Sequence, residues 1–350
     1  MTTALTPHCP VLSVIVPVRN DPQRLGICLE ALRGSSYRDH EVIVVDDASF
    51  DMSAAVAEML GAQVLRLPVR GGPGAARNRG AAAARGRYLM FVDADVRVHP
   101  DTLARAVAVL DADSTIDALF GSYDSQPVAP GAVSQYKNLL HHYVHQTGRA
   151  EAGTFWAGCG AIRREAFLAV GGFADSYRRP SIEDIELGAR LRRSGRRIAL
   201  RPEIQATHLK AWTLRSLLRS DLCDRAIPWT RLALQEGHLP DDLNLRAGAR
   251  VSAVLAYVLV LSLALAVRWP VLLAVAAAAL AGIAALNRDL YALFARQRGR
   301  RFLLAAVPLH LLYFLYSVAG FAAGVLLHLG DRLHPRPKRD DAVAPAAPAP

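Results

Sequence analysis

The sequence predicts an α/β domain with a mainly parallel sheet and helices on both faces, followed by a C-terminal transmembrane helical region. Three observations predict it. Short β-branched apolar runs alternate with helical segments over residues 11–95. Three of those runs end in polar clusters. The last hundred residues carry three long runs without charge.

VLSVIVP (11–17) is a buried strand. DPQRLGICLEALRGS follows as a helix, with Leu25, Cys28, Leu29 and Leu32 at helical spacing, Asp21 as cap and Pro22 in the first turn. EVIVVDD (41–47) is a second strand, 51–60 a helix and QVLRL (63–67) a third strand. GGPGAARNRGAAAARG (71–86) opens an Ala-rich helix on a Gly turn, and RYLMFVDAD (87–95) is a fourth strand ending in acids. A β-α-β-α order gives right-handed crossovers and a parallel sheet. Ligands of such sheets bind beyond the carboxyl ends of the strands.

The chain has 350 residues, 52% hydrophobic and 21% charged, with a net charge of +10 and a mean hydropathy of +0.18. This excludes a disordered chain, and four cysteines exclude a disulfide scaffold. The runs 251–267, 269–286 and 302–329 read as about three spans within a 248–330 membrane region. Spanning takes about 20 apolar residues. Arg268, Trp269 and Pro270 mark a turn at the membrane surface. The segment 287–301 reads as a loop. Its five arginines against one acid place it, and with it the N-terminal part, on the cytoplasmic side. Residues 248–350 hold 11 Lys/Arg and 4 Asp/Glu, so the domain before them is nearly neutral and nucleic acid is not an expected partner. The tail 331–350 reads as disordered, and the N-terminus lacks a signal-peptide pattern. An integral membrane protein with a cytoplasmic catalytic domain, of the bacterial inner-membrane type, is expected. Cys9, Cys28, Cys159 and Cys223 have no metal-ligand spacing and read as buried thiols.

The strand ends carry the chemistry. They are Pro17-Val18-Arg19-Asn20, Asp46-Asp47-Ala48-Ser49 and Asp93-Ala94-Asp95. Asp93 and Asp95 flank one residue, a placement that can hold Mg²⁺ or Mn²⁺ with room for diphosphate oxygens and water; a capped strand end is the plainer alternative. Asp46 and Asp47 can accept from a base or from ribose hydroxyls, or cap the next helix. Gly74, Arg77 and Asn78 open a helix, where Arg77 offers a planar cationic donor to a nucleotide. Glu183 and Asp184 either supply a base or begin an acidic helix. His141 and His145 stand four apart, but no acid is near them in sequence, so they read as packing rather than as a metal pair.

Taken in order, VIVPVRN, VVDDAS, GGPGAARNRG, FVDAD, FWAGCGAIRRE and IEDIELGARL resemble glycosyltransferase family 2, with the GT-A fold, over residues 11–210. The resemblance implies inverting transfer of a sugar from a nucleoside diphosphate sugar. It implies that Pro17, Val18, Asn20, Asp46, Asp47, Arg77 and Asp93 bind the nucleotide, with Arg77 near the base and ribose. Asp93 and Asp95 would hold a divalent metal, Asp95 most directly, with His208 a further contact. Trp156, Ala157, Gly158, Cys159 and Gly160 would line the sugar and acceptor pocket. Asp184 would be the catalytic base, with Glu183 beside it.

Residues 211–247 read as amphipathic interfacial helices, with Leu214, Leu217, Leu218 and Leu222 on one face and arginines on the other. Processive synthases of the family carry QxxRW after the ED segment, and this chain reads QATHLKAW there. The expectation is therefore one sugar added to a lipid or lipid-linked acceptor at the membrane. The alternatives are a processive polysaccharide synthase and a non-catalytic sugar-nucleotide-binding membrane subunit.

Overall fold

The computed structural model describes residues 9–237, 243 and 246–333. Four strands, β1 (Leu12–Val18), β2 (His40–Asp46), β3 (Gln63–Arg66) and β4 (Tyr88–Val92), are parallel, in the order β3-β2-β1-β4. Helices α1 (Pro22–Arg33), α2 (Ser53–Met59) and α3 (Pro73–Ala83) are their crossovers. Asp21 caps α1 by accepting from the Arg24 amide, and Pro22 lies in its first turn, as its sequence implies. β1, β4 and the second half of β2 are buried on both faces, which is why they are Val/Ile/Leu runs rather than alternating ones, while the edge strand β3 is only half-buried.

Beyond β4 the sheet becomes mixed. It continues through β5 (Val96–Val98), α4 (Thr102–Ala112), β6 (Ala118–Tyr123), α5 (Ala132–Gln146), β7 (Cys159–Arg163), α6 (Arg164–Ala169), α7 (Glu183–Arg193) and β8 (Ile198–His208). The full strand order is β3-β2-β1-β4-β7-β6-β8-β5. Two registers position the site. β7 runs antiparallel to β4 with Cys159 opposite Val92, so Phe155–Gly158 arrive at the carboxyl end of β4. β8 runs antiparallel to β5 with His208 opposite Val96, which brings His208 beside Asp95.

A continuous helix then spans Leu214–Glu236, made of α8 (Leu214–Arg219), a π-helical segment (Ser220–Ala226) and α9 (Ile227–Glu236). Of the apolar face read as interfacial, three leucines pack on protein and Leu214 stays exposed. Leu217, Leu218 and Leu222 pack with Tyr136 and Leu139 of α5 and with residues of the last helices.

The C-terminal region holds α10 (Ala247–Leu265), α11 (Leu272–Leu286), α12 (Arg288–Arg298) and α13 (Leu303–Leu333). α10 and α11 form an antiparallel hairpin. Asn287 donates to the Ser252 hydroxyl at one end, and Ala253, Ala256 and Leu259 meet Ala276, Ala279 and Ile283 along it. α10 and the segment Arg300–Leu333 are long and apolar enough to cross a membrane. α11 has 15 residues, about 22 Å at 1.5 Å per residue, and reaches spanning length only together with α12, across a 70° bend. The arginine-rich segment 287–301, expected as a loop, is mostly the helix α12. Leu290 and Phe294, one turn apart, supply its buried face. Residues 331–333 of the expected tail belong to α13; the rest of that tail lies outside the described residues.

α13 is not a detached anchor. Ala306 and Tyr316 pack with Tyr136 and Leu139 of α5. Further along, Gly320 and Gly324 face Ala226 and Thr230, where an added Cβ would come within 2.6 Å and 2.7 Å of those side chains. Its opposite face meets the α10–α11 hairpin through Phe314.

Close approach also fixes α7. A Cβ at Gly188 would overlap the Phe155 amide, so this helix lies directly on the strand-end segment before β7. Gly188→Ala is expected to destabilise the protein by about 1–3 kcal/mol, measured as a lower melting temperature of the detergent-solubilised full chain.

Candidate active site

A cleft of about 450 Å³ opens beyond the strand ends. Pro17, Val18 and Asn20 form one wall, at the end of β1. Asn20 has a left-handed backbone (φ 52°), accepts from the Phe50 amide at 3.0 Å and donates its own amide to Ser49 Oγ. That exchange ties the loop after β1 to the loop after β2. Asp46 accepts from the Ser49 amide at 3.0 Å and closes the same turn, without lining the cleft. Asp47 does line it. Its two oxygens accept from the Gly71 and Gly72 amides at 2.6 and 3.0 Å and so hold the glycine turn before α3. The two adjacent acids thus have different work.

Arg77 lies under the cleft floor, 4% exposed. One guanidinium nitrogen donates to Asp93 at 2.6 Å and another to Glu183 at 3.0 Å. Its carbon sits over the Phe173 ring at 5.4 Å. Burial alone would lower the Arg77 pKa, but the two carboxylates outweigh it and hold the cation charged. The sequence reading put this guanidinium beside base and ribose; here two carboxylates occupy it. Glu183 is used up as well, because its second oxygen accepts from the Ser181 amide at 2.8 Å.

Asp184 is the carboxylate that remains. It stands in the first turn of α7, lines the cleft and accepts from the Ala157 amide at 3.2 Å. Burial, and next the charge of Glu183, push its pKa up to about 6. Trp156 lines the cleft on the same side. A Cβ at Gly158 would come within 2.6 Å of the Trp156 ring, and the Gly158 carbonyl accepts from the Asp93 amide. Cys159 and Gly160 begin β7 and are covered by the sheet.

Asp93 and Asp95 both line the cleft. Burial raises the Asp93 carboxyl against the pull of Arg77. Burial would also raise Asp95, but His208, Lys210 and Arg24 outweigh it and hold that carboxyl below its usual range. His208 Nδ1 lies 2.6 Å from Asn138 Oδ1, so Nδ1 carries the hydrogen and Nε2 faces Asp95 Oδ2 at 3.6 Å. Asp95 and His208 Nε2 are thus an oxygen and a nitrogen donor suited to a divalent cation. Among the described residues no three His, Cys, Asp or Glu side chains converge on one point.

Cys28 and Cys159 are buried, and burial pushes the Cys159 thiol up to about 12. Cys9 and Cys223 are exposed, against the expectation of buried thiols. His145 Nδ1 donates to the Gly121 carbonyl of β6 at 3.0 Å, and burial lowers its pKa to about 4, so it packs as a neutral ring.

The sequence reading did not single out Lys210, Asn138 or Trp212, and it used Arg225 only as a membrane-facing cation. All four line a second cavity that adjoins the first. The signal was the polar content of HLKAW and of the helix after it, which was read for its leucines.

Residues 13–171 match the family model described as Glycosyl transferase family 2, so this part of the chain is a family 2 glycosyltransferase domain. An uncharacterized glycosyltransferase of Haemophilus influenzae is 26% identical over 188 residues, 50% of this chain and 60% of that protein. The glycosyltransferase GlyG of Streptococcus pneumoniae is 34% identical over 122 residues, 33% of this chain and 40% of that protein. The putative glycosyltransferase EpsH of Bacillus subtilis is 38% identical over 96 residues, 26% of this chain and 28% of that protein. The chain thus matches between about a quarter and three fifths of the length of these relatives. Among solved structures, the mannosyltransferase PcManGT from Pyrobaculum calidifontis, solved with GDP-Man and Mn²⁺, aligns with a TM-score of 0.55 and 24% identity, over 93% of this chain and 89% of that one. The fold is GT-A, and at that coverage the likeness extends into the C-terminal helices.

Arg77→Met would leave the buried Glu183 and the half-buried Asp93 without their cation. It is expected to cost about 3–5 kcal/mol, read as a large fall in melting temperature. Arg77→Lys should recover only part, because an ammonium lacks the fork that reaches both acids.

Proposed function

We propose that the chain transfers one sugar, with inversion, from a nucleoside diphosphate sugar to a lipid or lipid-linked acceptor at the cytoplasmic membrane face. The observation that carries the reading is the opening of the Asp184 carboxylate on the same cleft as Asp95 and the strand-end loops. In this reading the acceptor oxygen bonds to the anomeric carbon, the bond to the diphosphate breaks, and the diphosphate leaves with the electron pair. Asp184 takes the acceptor hydroxyl proton; a base with a pKa near 6 is well matched to that work at neutral pH. Arg77 holds Asp93 and Glu183 in place, and through them the two ends of the cleft. Pro17, Val18 and Asp47 flank the nucleoside side, and Trp156, Ala157 and Gly158 the sugar side.

The donor set of Asp95 and His208 fits Mg²⁺ or Mn²⁺, which would neutralise charge on the leaving diphosphate. PcManGT, the structural neighbour, was solved with Mn²⁺ and GDP-Man. Support for the membrane setting comes from the apolar helices and from the arginine excess of 287–301. The fold boundary near residue 210, where β8 ends and the helix Leu214–Glu236 begins, agrees with a transferase domain followed by a membrane-associated part.

The test is to incubate membranes with a panel of radiolabelled sugar nucleotides and to identify the labelled product by mass spectrometry. A lipid carrying one added sugar is expected; long polymers, or labelling of water-soluble acceptors alone, would sink the proposal. Asp95→Ala is expected to abolish transfer and its metal dependence together. Asp184→Asn should slow transfer by about 10²–10⁴-fold. Because the working form of Asp184 is the carboxylate, the rate should climb as pH rises through about 6, and that limb should vanish in the Asn variant.

A further inference from the structure

Among the described residues α13 is the longest helix, and its two sides are unlike. One side lies on the transferase domain and the helix that follows it. Ala306 packs with Tyr136 and Leu139 of α5, the Tyr316 hydroxyl donates to Asp221, Gly324 closes on Thr230, and Asp331 pairs with Arg231. From Ala306 to Asp331 the helix runs about 38 Å at 1.5 Å per residue, more than the roughly 30 Å hydrocarbon core of a bilayer. A helix held to one domain at both ends cannot carry those ends to opposite sides of a membrane. The partner surface is also too polar for hydrocarbon. Ser220–Glu236 carries Asp221, Asp224, Arg225, Arg231 and Glu236. The side chains of Arg231 and Asp331 are 41% and 48% exposed, so this pair belongs in water or among headgroups.

The other side of α13 is an unbroken apolar stripe. Leu311, Leu315 and Val318 meet the α10–α11 hairpin. Ala322, Leu326, Leu329 and Leu333 continue the same stripe at steps of three and four and are exposed, Leu326 by 69% and Leu333 by 76%. The packed cluster that joins hairpin and helix uses α13 only between Leu311 and Val318, so the hairpin crosses this helix rather than running beside it. The hairpin starts at the domain, where Arg246 donates to the Thr147 hydroxyl at 3.2 Å. Tyr257, part-way along α10, donates to the Leu315 carbonyl at 2.9 Å; tyrosine is favoured at the level of the headgroups. At its other end α11 bends by 70° into α12, whose Leu290 and Phe294 return to the domain. The hairpin therefore leaves α13 on the same side as the exposed stripe.

We propose that α13 does not cross the bilayer but lies along its surface, between the transferase domain and the lipid. The α10–α11 hairpin alone crosses and returns. The stripe from Ala322 to Leu333 rests at the boundary of headgroups and acyl chains, and both ends of α13 stay on the side of the catalytic domain. The assignment rests on the membrane setting proposed above and replaces the three spans expected from the sequence by two.

The test labels the full chain in the membranes of a bacterial host with a membrane-impermeant maleimide. The exposed thiols are first removed by Cys9→Ser and Cys223→Ser. Single cysteines are then placed by Met59→Cys in α2, Val267→Cys at the hairpin turn and Arg332→Cys at the end of α13, all exposed positions. Spheroplasts report one side and inverted vesicles the other. Arg332→Cys is expected to label from the same side as Met59→Cys, and Val267→Cys from the opposite side. Arg332→Cys labelling from the side of Val267→Cys, or only after detergent is added, would overturn the proposal and leave an integral membrane transferase in place. All three labelling from one side would overturn the proposal and the membrane-crossing reading together. Lipid contact is read separately, from a nitroxide on Leu329→Cys in proteoliposomes. A shallow depth of about 5–10 Å is expected; a nitroxide in water, or at the bilayer centre, would overturn the surface placement.

Discussion

The bridge that Arg77 makes between Asp93 and Glu183 is the interaction on which the site depends. Asp93 follows β4 and Glu183 begins α7, and the two are far apart in the chain. A guanidinium with two rigid prongs sets the span between them. Everything next to those acids inherits that span: Asp95 two residues beyond one of them, Asp184 directly after the other. Burial, and after it the charge of Glu183, explains why Asp184 holds its proton more tightly than an ordinary aspartate. Glu183 is occupied by Arg77 and the Ser181 amide, and its charge reaches its neighbour without competing for the cleft. One buried cation therefore both fixes a distance and engages Glu183, leaving Asp184 outside the ion pair.

The first half of the sheet was legible because each strand is a local event. Val14–Val16, Ile43–Val45 and Leu89–Val92 are continuous buried runs, and Asp21 and Pro22 announce α1 without help from distant residues. The second half was harder. β7 is the segment CGAIR, which carries little β-branched signal and takes its direction from pairing on both sides. The segment 287–301 looked like a loop because arginines dominate it, yet Leu290 and Phe294 already had helical spacing. In the site, the acids at strand ends were visible as residue types. Their partners were not, since Arg77–Glu183 and Asn138–His208 join positions 106 and 70 residues apart. Sequence spacing carries no information about such pairs. It is also why Asp46 and Asp47 looked equivalent, although one closes a turn and the other holds the glycines before α3.

The helical region is likewise more than a tether. Asp221, in the π-helical segment, accepts from Lys137 of α5 at 2.6 Å and from the Tyr316 hydroxyl of α13 at 2.6 Å. A carboxylate 6% exposed is thereby satisfied by two elements far apart in the chain. A π-helical segment widens the helix by one residue per turn and is common at functional positions. Here it turns Arg225 toward both cavities while its opposite side rests on α13.

The grip of α13 has a consequence in time. It is the last helix of the described chain to be made, and the surfaces it covers belong to much earlier segments: Tyr136 and Leu139, then Ala226 and Thr230. Domains generally fold from the N-terminus during synthesis. The sheet can close early, but its far wall stays bare until residues 303–333 have emerged. The wall bearing Arg225 and Asp221 is therefore completed only when the C-terminal helix arrives, so the docking of that helix and the maturation of the cleft become one event.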